Sequence, residues 1–176
     1  MVTVRELNEA ERASIEATRQ AYRDMWSAIP GDPPHQRFDG GPADIGALEF
    51  IEWEAGHHPQ GLHGAAVIWA GVIEATGVLS WCIAGDSSIA LRIRDYPELL
   101  ILPEARVAET MYAASSPDLH YHYLLEKTVI ELFLRPLEDS EKAKLAGLLY
   151  RNAYSRAEEL LRCLPEFQSM LAKHGR

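Results

Sequence analysis

Apolar residues recur at two different periods along this chain, and the switch between them marks its centre. From Leu62 the run Leu62, Ala65, Ala66, Ile68, Trp69, Val72 and Ile73 has helical spacing. Pro59 suits the first turn of that helix, and Gly77 suits a left-handed residue just past its end. Period 2 then takes over. Leu79, Trp81 and Ile83 fall on one side of a strand, and Val78, Ser80, Cys82 and Ala84 on the other. Gly85-Asp86-Ser87-Ser88 is turn chemistry. Ile89, Leu91 and Ile93 alternate with Ala90, Arg92 and Arg94, as in a half-buried strand with one wet face. Asp95-Tyr96-Pro97 breaks the pattern, Glu98 to Leu102 is a third short strand, and Pro103 opens a helix with Glu104 in its first turn. The stretch 59–103 is thus a helix laid on an antiparallel meander.

The flanks are helical. Thr3 to Glu6 reads as a capping box, and Leu7, Ile15, Tyr22, Met25, Trp26 and Ile29 give a first helix over residues 4–28. A Pro- and Gly-rich loop runs from Ile29 to Pro42, the kind of length that either drapes over a core or carries function. Ile45, Leu48 and Ile51 mark a short helix over Asp44 to Glu54. After Pro103 to Ala113, Asp118 is a good N-cap for a helix from Leu119 to Leu134. Pro136 interrupts, and Asp139 or Ser140 caps a last long helix. Its apolar stripe is Leu145, Leu149, Ala153, Ala157, Leu160, Leu164, Phe167 and Leu171, with Pro165 as a kink. The stripe either packs on its own domain or forms an interface, with a second copy as a homodimer or with another partner. The expected fold is α+β: one domain over 1–176, with about three antiparallel strands packed by helices and a helical C-terminal part at 118–174.

Gly61, Gly64 and Gly71 lie inside the central helix pattern. Each costs about 0.5–1 kcal/mol relative to Ala, so a close approach of another backbone to the bared face is expected. The same bared face is where a small-molecule sensor would hold its ligand. Trp69 and Trp81 belong in the core, whereas Trp26 and Trp53 are the tryptophans to expect at an interface.

Charge narrows the partners. With 17 basic and 26 acidic residues the formal net charge is −9. That disfavours nucleic acid and anionic membranes and suits a basic protein partner. The N-terminus lacks the apolar core of a signal peptide and no apolar run reaches membrane-spanning length, so a cytoplasmic protein is expected. Cys82 and Cys163 show no ligand spacing and read as reduced thiols.

Candidate chemistry is sparse. Glu52, Glu54, His57, His58 and His63 form the densest polar cluster. His57, His58, His63 and Glu54 are of the right type to hold a metal in an enzyme, and His120 and His122 would join only if the fold brought them near. The chain has no HExxH, however, and His58 and His63 are five apart, off the same-face spacing of a helix. No G-x-S-x-G is present. No cofactor is expected. Arg92 and Arg94 make a basic spot that would hold an acidic loop or pair with Asp95, Glu98 or a helix carboxylate. Together with Leu145, Leu149, Leu160 and Leu164 they are the expected interface residues.

Gly64, Gly71 and Gly77, followed by Leu79-Ser80-Trp81 and then by the Pro103 helix start, resemble the helix-plus-β-hairpin domain of several uncharacterised bacterial proteins. Some domains of that build serve as immunity or interaction proteins beside secreted toxins. The resemblance implies a non-enzymatic interaction protein and brings no catalytic residues with it.

Overall fold

The computed structural model describes residues 3–30, 38–54, 60–85, 87–94, 96–112, 118–136, 138–149, 151 and 153–163. The chain divides into two compact units, Met1–His120 and Tyr121–Arg176.

The first unit is α+β. Its sheet has four antiparallel strands in the order β1-β2-β3-β4: Val4–Glu6, Leu79–Ala84, Ser88–Ile93 and Tyr96–Ile101. The meander β2-β3-β4 is the one the sequence pattern predicts, except that Tyr96 and Pro97, expected to break the pattern, open the third of these strands. Pro97 sits in β4, an edge strand, where a missing N–H is tolerated. The pairing of β4 jumps from Arg92↔Leu100 to Ile93↔Tyr96 across that proline.

The fourth strand comes from a stretch expected to be helical. Val4–Glu6 pairs with β2 (Val4↔Ala84, Glu6↔Cys82), and helix α1 begins later, at Glu9–Ser27. The capping box is therefore Asn8–Glu11, not Thr3–Glu6. The Asn8 side chain accepts from Glu11 N–H (2.9 Å), and the Glu11 carboxylate accepts from Asn8 N–H (2.8 Å). Two capping signals compete here, and pairing on the open edge of β2 decides between them, since strand preference is set by its neighbours. Arg5 ties β1 to this cap through a two-pronged contact with Glu11 (2.8 and 2.5 Å).

Helix α2 (Ala43–Glu49) runs into a π-helical turn, Phe50–Glu54. Helix α3 (Gly61–Glu74) follows and is the centre of the unit: every residue from Gly64 to Ile73 is buried. A helix apolar on all sides belongs inside, and α3 packs on α1, α2, β2, β3 and α4 (Pro103–Tyr112). Gly77 has φ +85°, the left-handed conformation expected past the helix end.

Both faces of the sheet are buried in part. Ile83, Trp81 and Ile89 join Leu7, Ile15 and Val67 of the helical layer. On the other face Cys82, Ala84, Ala90 and Leu100 cluster with Val4. The wet face expected at Ala90 is thus closed there. Trp69 is fully buried as expected, its indole N–H donating to Leu119 O (3.1 Å), while Trp81 is only half-buried.

The glycines of α3 receive side chains of α1 at the bared face. A methyl group at Gly64 would meet Tyr22 Oη at 3.0 Å, and one at Gly71 would meet an Arg19 guanidinium nitrogen at 2.9 Å. Arg19 and Tyr22 are three apart on α1, so one ridge of α1 lies in the groove that the glycines open. The expected backbone approach is not what meets those two glycines first: the nearest atoms at Gly64 and Gly71 are side chains, and Gly71 O is instead met by Gly40, where a Cβ would lie 3.5 Å from it.

The second unit holds most of α5 (Leu119–Phe133), then α6 (Asp139–Leu149) and α7 (Ala153–Cys163). One long helix is expected from the stripe after Asp139; two are found. Arg151 N–H closes a turn on Leu148 O (3.2 Å), and Lys144 on α6 meets Glu159 on α7 at 2.5 Å. In a straight helix those two positions would be about 22 Å apart. The stripe therefore folds back on itself as a helical hairpin.

Candidate functional site

The densest set of buried polar groups in the first unit lies between α1, the π turn and the start of α3. Tyr22 is 0% exposed and Glu52 1%, and the Tyr22 hydroxyl donates to the Glu52 carboxylate. Glu52 comes inward because it is seven residues after Ile45 and four after Leu48, on the buried stripe of α2 as it continues into the π turn. Burial, then the bond to Glu52, push the Tyr22 hydroxyl pKa well above its usual value. Tyr22 is thus a neutral donor fixed to one acceptor.

Thr18, one turn earlier on α1, contacts the Gln60 side chain and Ser14 O (3.0 Å). A hydroxyl has a single proton. Thr18 Oγ1 donates it to the Gln60 side-chain carbonyl, with Ser14 O as the competing acceptor. Gln60 precedes Gly61 at the head of α3, so this bond pins the helix entry to α1.

Beside this cluster Asp44, 2% exposed, holds the chain that enters α2. Its carboxylate accepts from Phe38 N–H (2.6 Å) and Gly40 N–H (2.8 Å), and Arg23 donates to Phe38 O (3.0 Å). The Phe38 ring packs edge-on against Tyr22 (5.5 Å) and Trp26 (6.4 Å), and Trp26 against Phe50 (6.0 Å).

A second buried cluster lies in the C-terminal unit. Arg156 of α7 pairs with Glu126 of α5 and contacts His122 Nδ1 (3.1 Å), and all three side chains are fully buried. An arginine has no acceptor atom, so His122 Nδ1 accepts and the ring is neutral with its proton on Nε2. His122 and Glu126 are four apart, on one face of α5. Both clusters join groups that in an open cleft would serve acid–base chemistry, and both are closed to solvent.

No family model, curated protein or solved structure matches the chain.

His63 stands on the first turn of α3 and pairs with Glu104 on the first turn of α4 (2.8 Å), both partly exposed. His57 and His58 lie outside the described residues; Glu54 closes the π turn, its side chain outside that description. Among the described residues no group of three His, Cys, Asp or Glu side chains is placed to hold a metal ion. Glu52 bonds Tyr22. His122 joins Arg156, in the other unit from His63.

Arg92 donates to Ser80 Oγ across β2 (3.1 Å) and pairs with Glu6 on β1 (2.8 Å), while Arg94 is exposed in the turn after β3. Asp95 and the Glu98 side chain lie outside the described residues. In the stripe, Leu149 and Leu160 are buried within the single chain, Leu145 is half-buried, and Leu164 lies outside the described residues. Of the three that are described, Leu145 has surface to offer a partner.

Sequence reasoning missed Tyr22–Glu52, Asp44 and the His122–Glu126–Arg156 set. The first and last carried a readable signal. Glu52 falls on the Ile45–Leu48 stripe, and His122 and Glu126 have same-face spacing. Arg156 carried none, because a long-range contact leaves no local pattern.

Proposed function

We propose that this chain acts by binding another protein, and that the partner is basic. The observation that carries this reading is where the charge sits. The net charge is −9, and carboxylates stand out on the surface: the side chains of Glu6, Glu16, Glu131 and Asp139 are 69, 59, 52 and 102% exposed. Their present partners are surface ion pairs, worth about 0–1 kcal/mol each. A partner's lysines and arginines exchange with such pairs at little cost, and opposite charge speeds their encounter. The Tyr22–Glu52 and His122–Glu126–Arg156 groups are instead buried and bonded to one another. The immunity-type role implied by the resemblance belongs to the same class.

The test is calorimetric titration with the basic proteins encoded beside this one, at about 50 and 300 mM salt, conditions that differ several-fold in screening. Binding that weakens at high salt is expected. No binding to any of them, or binding indifferent to salt, sinks the proposal.

A further inference from the structure

Phe38 is, among the described residues, the one non-glycine with positive φ (+60°). An aromatic residue gains nothing from that conformation, which costs energy unless its surroundings impose it. Three hydrogen bonds impose it here, and two of them end on one carboxylate. Asp44 takes the N–H groups of Phe38 and Gly40 (2.6 and 2.8 Å). The third comes from Arg23 (3.0 Å), which is also drawn to Glu16 (2.8 Å). The backbone is thus strained while the ring is well housed, 1% exposed with Tyr22 and Trp26 edge-on around it. Tyr22 cannot move away, being buried and bonded to Glu52. Trp26 and its neighbour Phe50 are only half-buried, so this wall of the seat reaches the surface.

We propose that Phe38 is a displaceable plug: the strap Phe38–Gly40 opens locally, and the seat between Tyr22 and Trp26 accepts an aromatic side chain of a protein partner. The occupant is aromatic because the seat already holds an aromatic ring with two edge-on contacts. Opening relieves the strain at Phe38, so it costs less than loosening an unstrained core residue. This rests on the binding role proposed above and names where that binding would take place.

Amide hydrogen exchange on the intact protein alone tests the strap, so its outcome is independent of any partner. Phe38 and Gly40 are expected to exchange at least about 100-fold faster than Ala66 to Val72 of α3, through openings insensitive to low denaturant. Asp44→Asn leaves one acceptor for two N–H groups and is expected to speed both by about tenfold more. Exchange of Phe38 and Gly40 at the α3 rate, with the α3 denaturant dependence, overturns the proposal. The seat is tested with Phe38→Ala and N-acetylphenylalaninamide. Saturable shifts of the Tyr22 and Trp26 ring signals are expected, and a folded variant without them overturns the seat. If that variant does not fold, the exchange measurement decides.

Discussion

Gly64 and Gly71 lie two turns apart on one face of α3, both bared to α1, yet they should respond in opposite ways to a methyl group. A Cβ at Gly64 would lie 2.6 Å from Gln60 Cβ and 3.0–3.1 Å from the Tyr22 ring and hydroxyl. Neither neighbour can yield. Tyr22 is held by Glu52 and enclosed by Phe38, and Gln60 is held by Thr18. Overpacking of this kind costs about 1–3 kcal/mol. The gain from replacing a mid-helix glycine by alanine is about 1 kcal/mol. Two neighbours that cannot yield put the cost in the upper part of that range, about 2–3 kcal/mol, so Gly64→Ala should lose about 1–2 kcal/mol. At Gly71 the neighbour is the far end of Arg19, 2.9 Å away and 23% exposed. That guanidinium can swing out, giving up its position 6.0 Å from the Trp81 ring centroid and a 4.0 Å contact with Glu74. An exposed cation–π contact is worth about 0.5–1 kcal/mol, which offsets the helix gain of about 1 kcal/mol. Gly71→Ala should fall within about 0.5 kcal/mol of the parent. Urea unfolding followed by tryptophan emission and by far-ultraviolet dichroism measures both. A Gly64→Ala protein as stable as the parent, or a Gly71→Ala protein less stable than Gly64→Ala, would refute the packing argument.

Other outcomes follow from the polar contacts. The Arg5 hydrogen bonds, then the Asn8 N–H, hold the Glu11 carboxyl far below the usual range, at about 2. A depressed folded-state pKa means that its contribution is complete above the ordinary carboxylate pKa and is lost as pH falls toward about 2. Arg5→Ala should flatten the acid limb of a stability–pH profile, and an unchanged limb would remove Glu11 from the account. Arg156→Met leaves Glu126 charged and buried and should cost about 3–5 kcal/mol, whereas Arg156→Met with Glu126→Leu should recover much of it; thermal unfolding of both decides. Tyr22→Phe removes the proton given to buried Glu52 and should cost about 1–3 kcal/mol in urea unfolding. His63→Ala breaks a pair exposed on both sides (45 and 38%) and should leave the unfolding midpoint within experimental error.

How much of this was legible depended on whether the cause was local. The turn at Gly77, the alternation of β2 and β3 and the starts at Pro103, Leu119 and Asp139 follow from nearest-neighbour chemistry, and the structure has them where the pattern puts them. Strand β1 was not legible, because three residues become a strand only when β2 offers an edge. The break near Arg151 was masked by a stripe whose spacing suits one long helix and a folded hairpin equally well. The glycines of α3 announced a close contact, but which ridge would fill the groove depended on α1, forty residues earlier. For the site, residue type suggested the histidines, and the partners each finds were not legible: His63 faces Glu104, and His122 faces Arg156.

The buried polar groups of the first unit have a use that requires no chemistry. Helix α3 meets its neighbours mainly through Gly, Ala, Val and Ile, and its Gly64–Gly71 groove is smooth. Small side chains permit close packing but give a neighbouring helix few steps to lock against, so α1 could shift by a turn and still bury apolar area. The bonds from Tyr22 to Glu52 and from Thr18 to Gln60 do not survive such a shift. Moving α1 by one turn would strand the Glu52 carboxylate away from its donor, a penalty of about 1–3 kcal/mol or more for a charged group. Asp44 does the same for the entry to α2, where its carboxylate fixes the path of the backbone at Phe38 and Gly40. In this unit apolar burial sets how closely the helices pack, and a few enclosed polar bonds set which of the close packings is occupied.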